Sequence, residues 1–233
     1  YLFHRQTRHG GVPVGLSGNG VVLERARLDE PHEKILEEIF LLGTYTGLHW
    51  LKSLAGDGVS GSVSPPTLYP SGVIPLLVTE AEDEKLTLLE QIFDGEVCGR
   101  FGAVLSEGSG TALAAHLLEK QEMPPELLPE IRDDILCEAG NVTLNGFVAT
   151  LADALHVDLD SKTPTMKDLP RHEWMSDQDG EVEIFSATAN VSSDDGSLSL
   201  NMVFILEVIP TKNLTTLLDK AIPLPAKGPE PGG

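Results

Sequence analysis

The chain has 233 residues, enough for one large domain or two small ones with an ample core. Sixteen basic residues against 36 acidic ones leave a formal charge of −20, which argues against a nucleic-acid backbone or an anionic membrane as partner, since both need a basic footprint. Two cysteines, Cys98 and Cys137, are too few for a disulfide framework and show no paired spacing for a metal.

No apolar run approaches the ~20 residues of a membrane helix, and the longest, 35–54, is interrupted by Glu, Gly, Thr, His and Lys. No charged-then-apolar leader opens the chain. These features predict a cytoplasmic protein with no membrane span.

In chain order, residues 1–30 are rich in glycine. They read as a hairpin around Ser17-Gly18-Asn19-Gly20 or as a loosely held arm. Asp29-Glu30-Pro31 opens a helix over 33–55, with acidic charge at the positive end of its dipole, and Gly56-Asp57-Gly58 stops it. Gly, Ser and Pro make 58–71 a predicted loop. Strands are expected at 73–78 and 86–93. Asp94-Gly95 is a hairpin turn into a strand over 96–105, which Gly108-Ser109-Gly110 ends before a helix over 111–120.

Prolines 124, 125 and 129 punctuate the approach to a long helix over 130–156. Residues 157–165 read as extended and 170–180 as a polar loop. Strands follow over 181–191 and 197–208, then a short helix over 213–220. A tail dominated by Pro and Gly, 222–233, carries the composition of disorder. Long helix, strands, short helix occurs twice, in halves of 31–122 and 123–221. That order predicts an α+β fold duplicated about a pseudo-twofold, with two long helices on one face of an antiparallel sheet.

The second long helix carries the most specific pattern. At ~100° per residue, Asp134, Glu138, Asn141 and Asn145 share one narrow stripe. Ile135, Ala139, Val142, Gly146 and Ala149 form a second stripe, and Leu144, Val148, Leu151 and Leu155 a third. Two faces should be buried and one polar ridge left open. The ridge holds no strong nucleophile and no metal set. Its carboxylates can pair with a lysine, and its carboxamides can both donate and accept, so they can orient a water molecule. By spacing alone, such a ridge is the solvated side of an amphipathic helix.

Elsewhere the signals are weaker. Gly108-Ser109-Gly110-Thr111 follows a strand and precedes a helix, but Leu113 stands where a dinucleotide loop needs its third glycine, so a turn and cap is the better reading. The histidines show no i, i+4 pair for zinc. Cys137 projects away from Glu138 and reads as a packed thiol. Tyr45, His49 and Trp50 read as packing or a subunit contact.

Asp134-x-x-x-Glu138-x-x-Asn141, within DILCEAGNVTLNGFVATLADAL, resembles the active-site signature of the CheC/CheX family of chemotaxis phosphatases. FGAVLSEGSGTALAAHLL resembles the strand-to-helix return of that family's first half, and the resemblance covers roughly 33–220. It implies a CheC-like fold and hydrolysis of the aspartyl phosphate on a CheY-like response-regulator receiver in two-component signalling. Glu138 would pair with the receiver's lysine, Asn141 would orient the attacking water, and Asp134 and Asn145 would touch the partner. The Mg²⁺ would be the receiver's, with no cofactor in this chain. A CheD-like regulator and a homodimer are further partners the resemblance allows.

Two departures matter. Anchored on Gly43, the first helix offers Lys34, Glu38 and Leu41 where a second site would need its amide. That leaves one site per chain, as in the CheX-like branch. Asn145 stands where the family commonly has a small residue, which predicts a crowded ridge. A non-catalytic receiver-binding or flagellar-switch module of the same fold is the alternative.

Overall fold

The computed structural model describes residues 28–81, 83–176, 183–209 and 213–221. The N-terminal hairpin or arm, apart from 28–30, and the C-terminal tail fall outside them.

Helix α1 spans Glu30–Ala55. The Asp29 carboxylate accepts the His32 backbone N–H at 3.2 Å, satisfying one orphan donor of the first turn, and Pro31 needs no partner there. Gly56 ends the helix at φ +92°, a conformation that a side chain would resist. The second long helix, α4, is Leu128–Leu155, and His156 closes it in the left-handed region at φ 55°. By length and composition, 125–155 could cross a membrane, contrary to the sequence expectation; half of its most apolar window is buried within the fold, as in a core helix.

Between and after these helices lie β1 (Val59–Val63), β2 (Thr67–Pro70), α2 (Ile74–Val78), β3 (Lys85–Gly95), β4 (Cys98–Ser106) and α3 (Glu107–Lys120). The second half repeats the order with β5 (Leu159–Ser161), β6 (Thr165–Pro170), α5 (Arg171–Ser176), β7 (Glu183–Ser193), β8 (Ser199–Ile209) and α6 (Leu214–Leu218). All pairings in this eight-stranded sheet are antiparallel, in the order β1-β7-β8-β4-β3-β5, with β2 also on β7 and β6 also on β3. The short strands of each half therefore pair with the long strand of the other. The halves are exchanged along their edges, and neither completes its sheet alone.

Helices α1 and α4 pack antiparallel over one face of the sheet. Phe40, Phe101, Phe147 and Phe204 fill the centre, with the Phe101 and Phe147 rings stacked at 3.5 Å between centroids. A smaller cluster on the opposite face, around Ile74, Leu86, Val104 and Val203, is covered by α2.

Close contacts between the long helices are reciprocal. Gly43 lies against Phe147 and Gly47 against Thr143; Thr46 meets Thr150 and Trp50 meets Gly146. Adding 100 to one residue number and subtracting it from the other turns each contact into its mate. The pseudo-twofold thus equates Lys34, Glu38, Leu41 and Tyr45 with Asp134, Glu138, Asn141 and Asn145.

Several local expectations are corrected. The predicted loop at 58–71 holds β1 and β2, because backbone pairing to β7 needs little from their Ser and Gly side chains. The predicted strand at 73–78 is a 3-10 turn followed by α2; Pro75 suits a first helical turn, and short apolar runs do not separate helix from strand by pattern. Gly108-Ser109-Gly110 lies inside α3, capped by Ser106, whose hydroxyl accepts the Ser109 N–H at 3.1 Å. The first part of the predicted 170–180 loop is α5.

Candidate functional site

Helix α4 is unbroken from Leu128 to Leu155, so its four ridge residues keep helical spacing. Asp134, Glu138 and Asn145 are exposed and Asn141 is partly buried. The third stripe, Leu144, Val148, Leu151 and Leu155, is buried as expected. The second is less uniform, with Ala149 exposed and Val142 partly covered.

The two flanks of the ridge differ. On one side, Asp134 and Glu138 border a cleft of about 280 Å³ whose walls are otherwise mostly apolar: Leu54 from α1, Leu117 from α3, Met123, and Ile131, Ile135 and Ala139 from α4. On the other side stands β3. Its helix-facing positions include Leu89 and Phe93, both in the main core, and between them Gln91, which is 1 % exposed.

Gln91 is the functional candidate that sequence reasoning missed. Its Nε2 donates to the Lys162 carbonyl at 3.0 Å and to Asn145 Oδ1 at 2.6 Å. Asn145 Nδ2 in turn donates to Asn141 Oδ1 at 2.9 Å. Asn145, exposed on the ridge, links its neighbour Asn141 to the core. A polar residue at an inward strand position was the available signal. Reading it requires the strand register, because Leu86 and Leu88 on the other face are as apolar as Leu89 and Phe93.

Arg132, two residues before Asp134, donates to Asp133 at 2.8 Å, to Asp168 at 3.2 Å and to Thr87 Oγ1 at 3.0 Å, fastening α4 to β3 and β6. Cys137 is half-buried; burial first, and then the negative charge of Asp133 and Asp134, raises its thiol pKa above the ordinary value. That thiol is a poor nucleophile. Among the described residues no three His, Cys, Asp or Glu side chains converge as a metal site would require. The site's tools are carboxylates that attract a cation and amides that fix hydrogen-bond geometry.

No protein-family model and no curated protein matches the sequence. Solved structures do match. FliY from Thermotoga maritima superposes at a TM-score of 0.60 and 13 % identity, covering 82 % of this chain and 96 % of that one. The FliM middle domain from H. pylori does so at 0.51 and 10 %, covering 83 % and 99 %. A chain of the CheX–CheY–BeF3–Mg²⁺ complex from Borrelia burgdorferi aligns at 0.46 and 15 %, over 74 % and 97 %. The chain has the α+β fold of FliY and the FliM middle domain, with a curled antiparallel sheet.

Proposed function

We propose that the chain is a phosphatase for the aspartyl phosphate of a CheY-like response-regulator receiver. The observation that carries the reading is the ridge of α4: an exposed carboxylate, Glu138, three residues from the amide of Asn141, on an unbroken helix. Glu138 pairs with the receiver's lysine. The apolar cleft beside it suits the aliphatic stem of such a side chain while its ammonium stays at the carboxylates.

Asn141 reaches the acyl phosphate and holds a water in line with the phosphorus. Attack by that water breaks the bond between phosphorus and the carboxylate oxygen, releasing phosphate and restoring the aspartate. Positioning of this kind removes entropy from the attack and is worth up to ~7 kcal/mol or more. The receiver's own Mg²⁺ neutralises the phosphoryl oxygens. The chain's charge of −20 would repel an acidic receiver surface, but that repulsion is screened beyond ~8 Å at physiological salt.

A second reading, a non-catalytic module that binds through the same fold, draws on a FliG–FliM complex from H. pylori, one chain of which superposes at a TM-score of 0.55 and 7 % identity. One experiment separates the two. Decay of a phosphorylated CheY-type receiver is followed with and without the protein. The phosphatase reading expects faster decay that Asn141→Ala abolishes without altering the circular dichroism spectrum. Receiver binding with unchanged decay would select the module instead.

A further inference from the structure

The geometry points to Gln91 and Asn145 as positioning residues that fix which end of the Asn141 carboxamide meets the reacting water. The inference rests on the phosphatase reading and deepens it.

The polarity of the chain can be followed outward from the core. A backbone carbonyl only accepts hydrogen bonds, so the group of Gln91 facing Lys162 O at 3.0 Å must be its amide nitrogen. That nitrogen's second proton goes to Asn145 at 2.6 Å, which must therefore present Oδ1 inward. Asn145 then has only Nδ2 to turn towards Asn141, 2.9 Å away, so Asn141 must offer its Oδ1 to this neighbour. A flipped Asn141 would set two donors against each other. Its Nδ2 is left as the group without a partner on the ridge, and one lone pair of its Oδ1 stays available.

An asparagine amide turns about a broad terminal torsion, and on an open helix both orientations are populated. Only one of them gives an incoming water and phosphoryl group a defined acceptor and donor. Anchoring the amide to a buried side chain supplies that definition before the partner arrives. Gln91 is otherwise an odd core residue: its Oε1 is buried without a hydrogen-bond partner among the described residues, an arrangement that stability alone disfavours.

Two variants test the relay at its two links. Asn145→Asp, at an exposed position, still accepts from Gln91 but can no longer donate, so Asn141 must turn its Nδ2 inward. Gln91→Met keeps an unbranched side chain of similar length and removes the anchor. Both are expected to lower kcat for receiver dephosphorylation about tenfold, roughly the rate equivalent of one hydrogen bond, with KM unchanged in Gln91→Met, which adds no charge to the partner-facing ridge. A structural defect would instead lower the fraction of active protein and the melting temperature together. If wild type accelerates decay and Asn141→Ala does not, yet both relay variants keep the wild-type kcat, the relay is wrong and the phosphatase reading stands. If wild type itself leaves decay at its intrinsic rate, the phosphatase reading falls. The relay is then judged by ¹⁵N relaxation of the Asn141 side-chain amide, which should be ordered in wild type and disordered in Gln91→Met. Equal order in both overturns it.

Discussion

The two halves share a backbone plan, and at the candidate site they differ in one strip of side chains. In the second half, α4 presents Asp134, Glu138, Asn141 and Asn145, with Gln91 of β3, a strand of the first half, behind them. In the first, α1 presents Lys34, Glu38, Leu41 and Tyr45. The strand position behind is Ala189, the seventh residue of β7 as Gln91 is of β3. Only the glutamate is common. Every amide of the strip at α4 is replaced by an apolar or aromatic side chain in the strip at α1. The carboxamides therefore differ as a set: the strip on α1 lacks the exposed amide, and β7, the strand of the second half behind it, lacks the buried anchor.

The largest expected effect comes from exchanging these strips. Asn141→Leu, which copies the first half, should cut receiver-phosphate turnover about a hundredfold or more, the scale of losing a group that positions the attack. The reverse exchange is more discriminating. Leu41→Asn placed in an Asn141→Ala background restores an amide beside Glu38, yet Ala189 provides no buried amide to anchor it. It should recover no more than about a tenth of wild-type turnover, the level the relay variants keep. Recovery of wild-type rate by that variant would show that a glutamate and an asparagine at this spacing suffice.

A smaller effect is expected where the halves meet. A Cβ on Gly43 would lie 2.2 Å from Cδ2 of Phe147, whose ring is already stacked on Phe101 and cannot retreat into the core. Gly43→Ala should destabilise by about 1–3 kcal/mol through overpacking, lowering Tm by about 2–4 °C per kcal/mol. Gly140→Ala is the contrast. Its nearest neighbour is the end of Leu89 at 3.3 Å, a side chain that can give, and alanine favours the helix by up to about 1 kcal/mol. Thermal unfolding of the two variants should therefore separate, with Gly43→Ala the lower. Equal melting would mean that Phe147 finds another rotamer.

This difference also shows what the sequence could disclose. The 3.6-residue period exposed both long helices, and turn residues such as Asp94-Gly95 located the central hairpins. The resemblance, anchored on Gly43, matched Lys34, Glu38 and Leu41 to the ridge, and the reciprocal contacts of the long helices give the same pairing. Edge strands β1 and β2 were hidden because their stability comes from partners more than 100 residues away, which no local pattern encodes. The ridge was legible as four residues on one stripe. The anchor was not, since Gln91 faces Asn145 across 54 residues of chain and both faces of β3 are rich in apolar side chains.

The smallest expected effect concerns the clip that ties the start of α1 to the end of α6, one element from each half. The His32 ring meets Asp29 through Nδ1 and Asp219 through Nε2, the latter at 3.1 Å. The hydrogen bond to Asp219, and then that to Asp29, raises the imidazole pKa above its ordinary 6.5. A raised folded-state pKa means stabilisation that is complete below the unfolded value and disappears as pH rises through the folded one. Both aspartates are largely in water, at 64 % and 71 % exposure, so solvent screens the pair and its contribution is slight. The cap on α1 is a separate matter, because Asp29 accepts the backbone N–H of residue 32 whatever its side chain. His32→Gln should thus lower Tm modestly at pH 5, and the gap from wild type should close above the folded-state pKa. A gap of equal size at acidic and alkaline pH would assign the contact to packing, leaving the protonated ring no part in joining the halves.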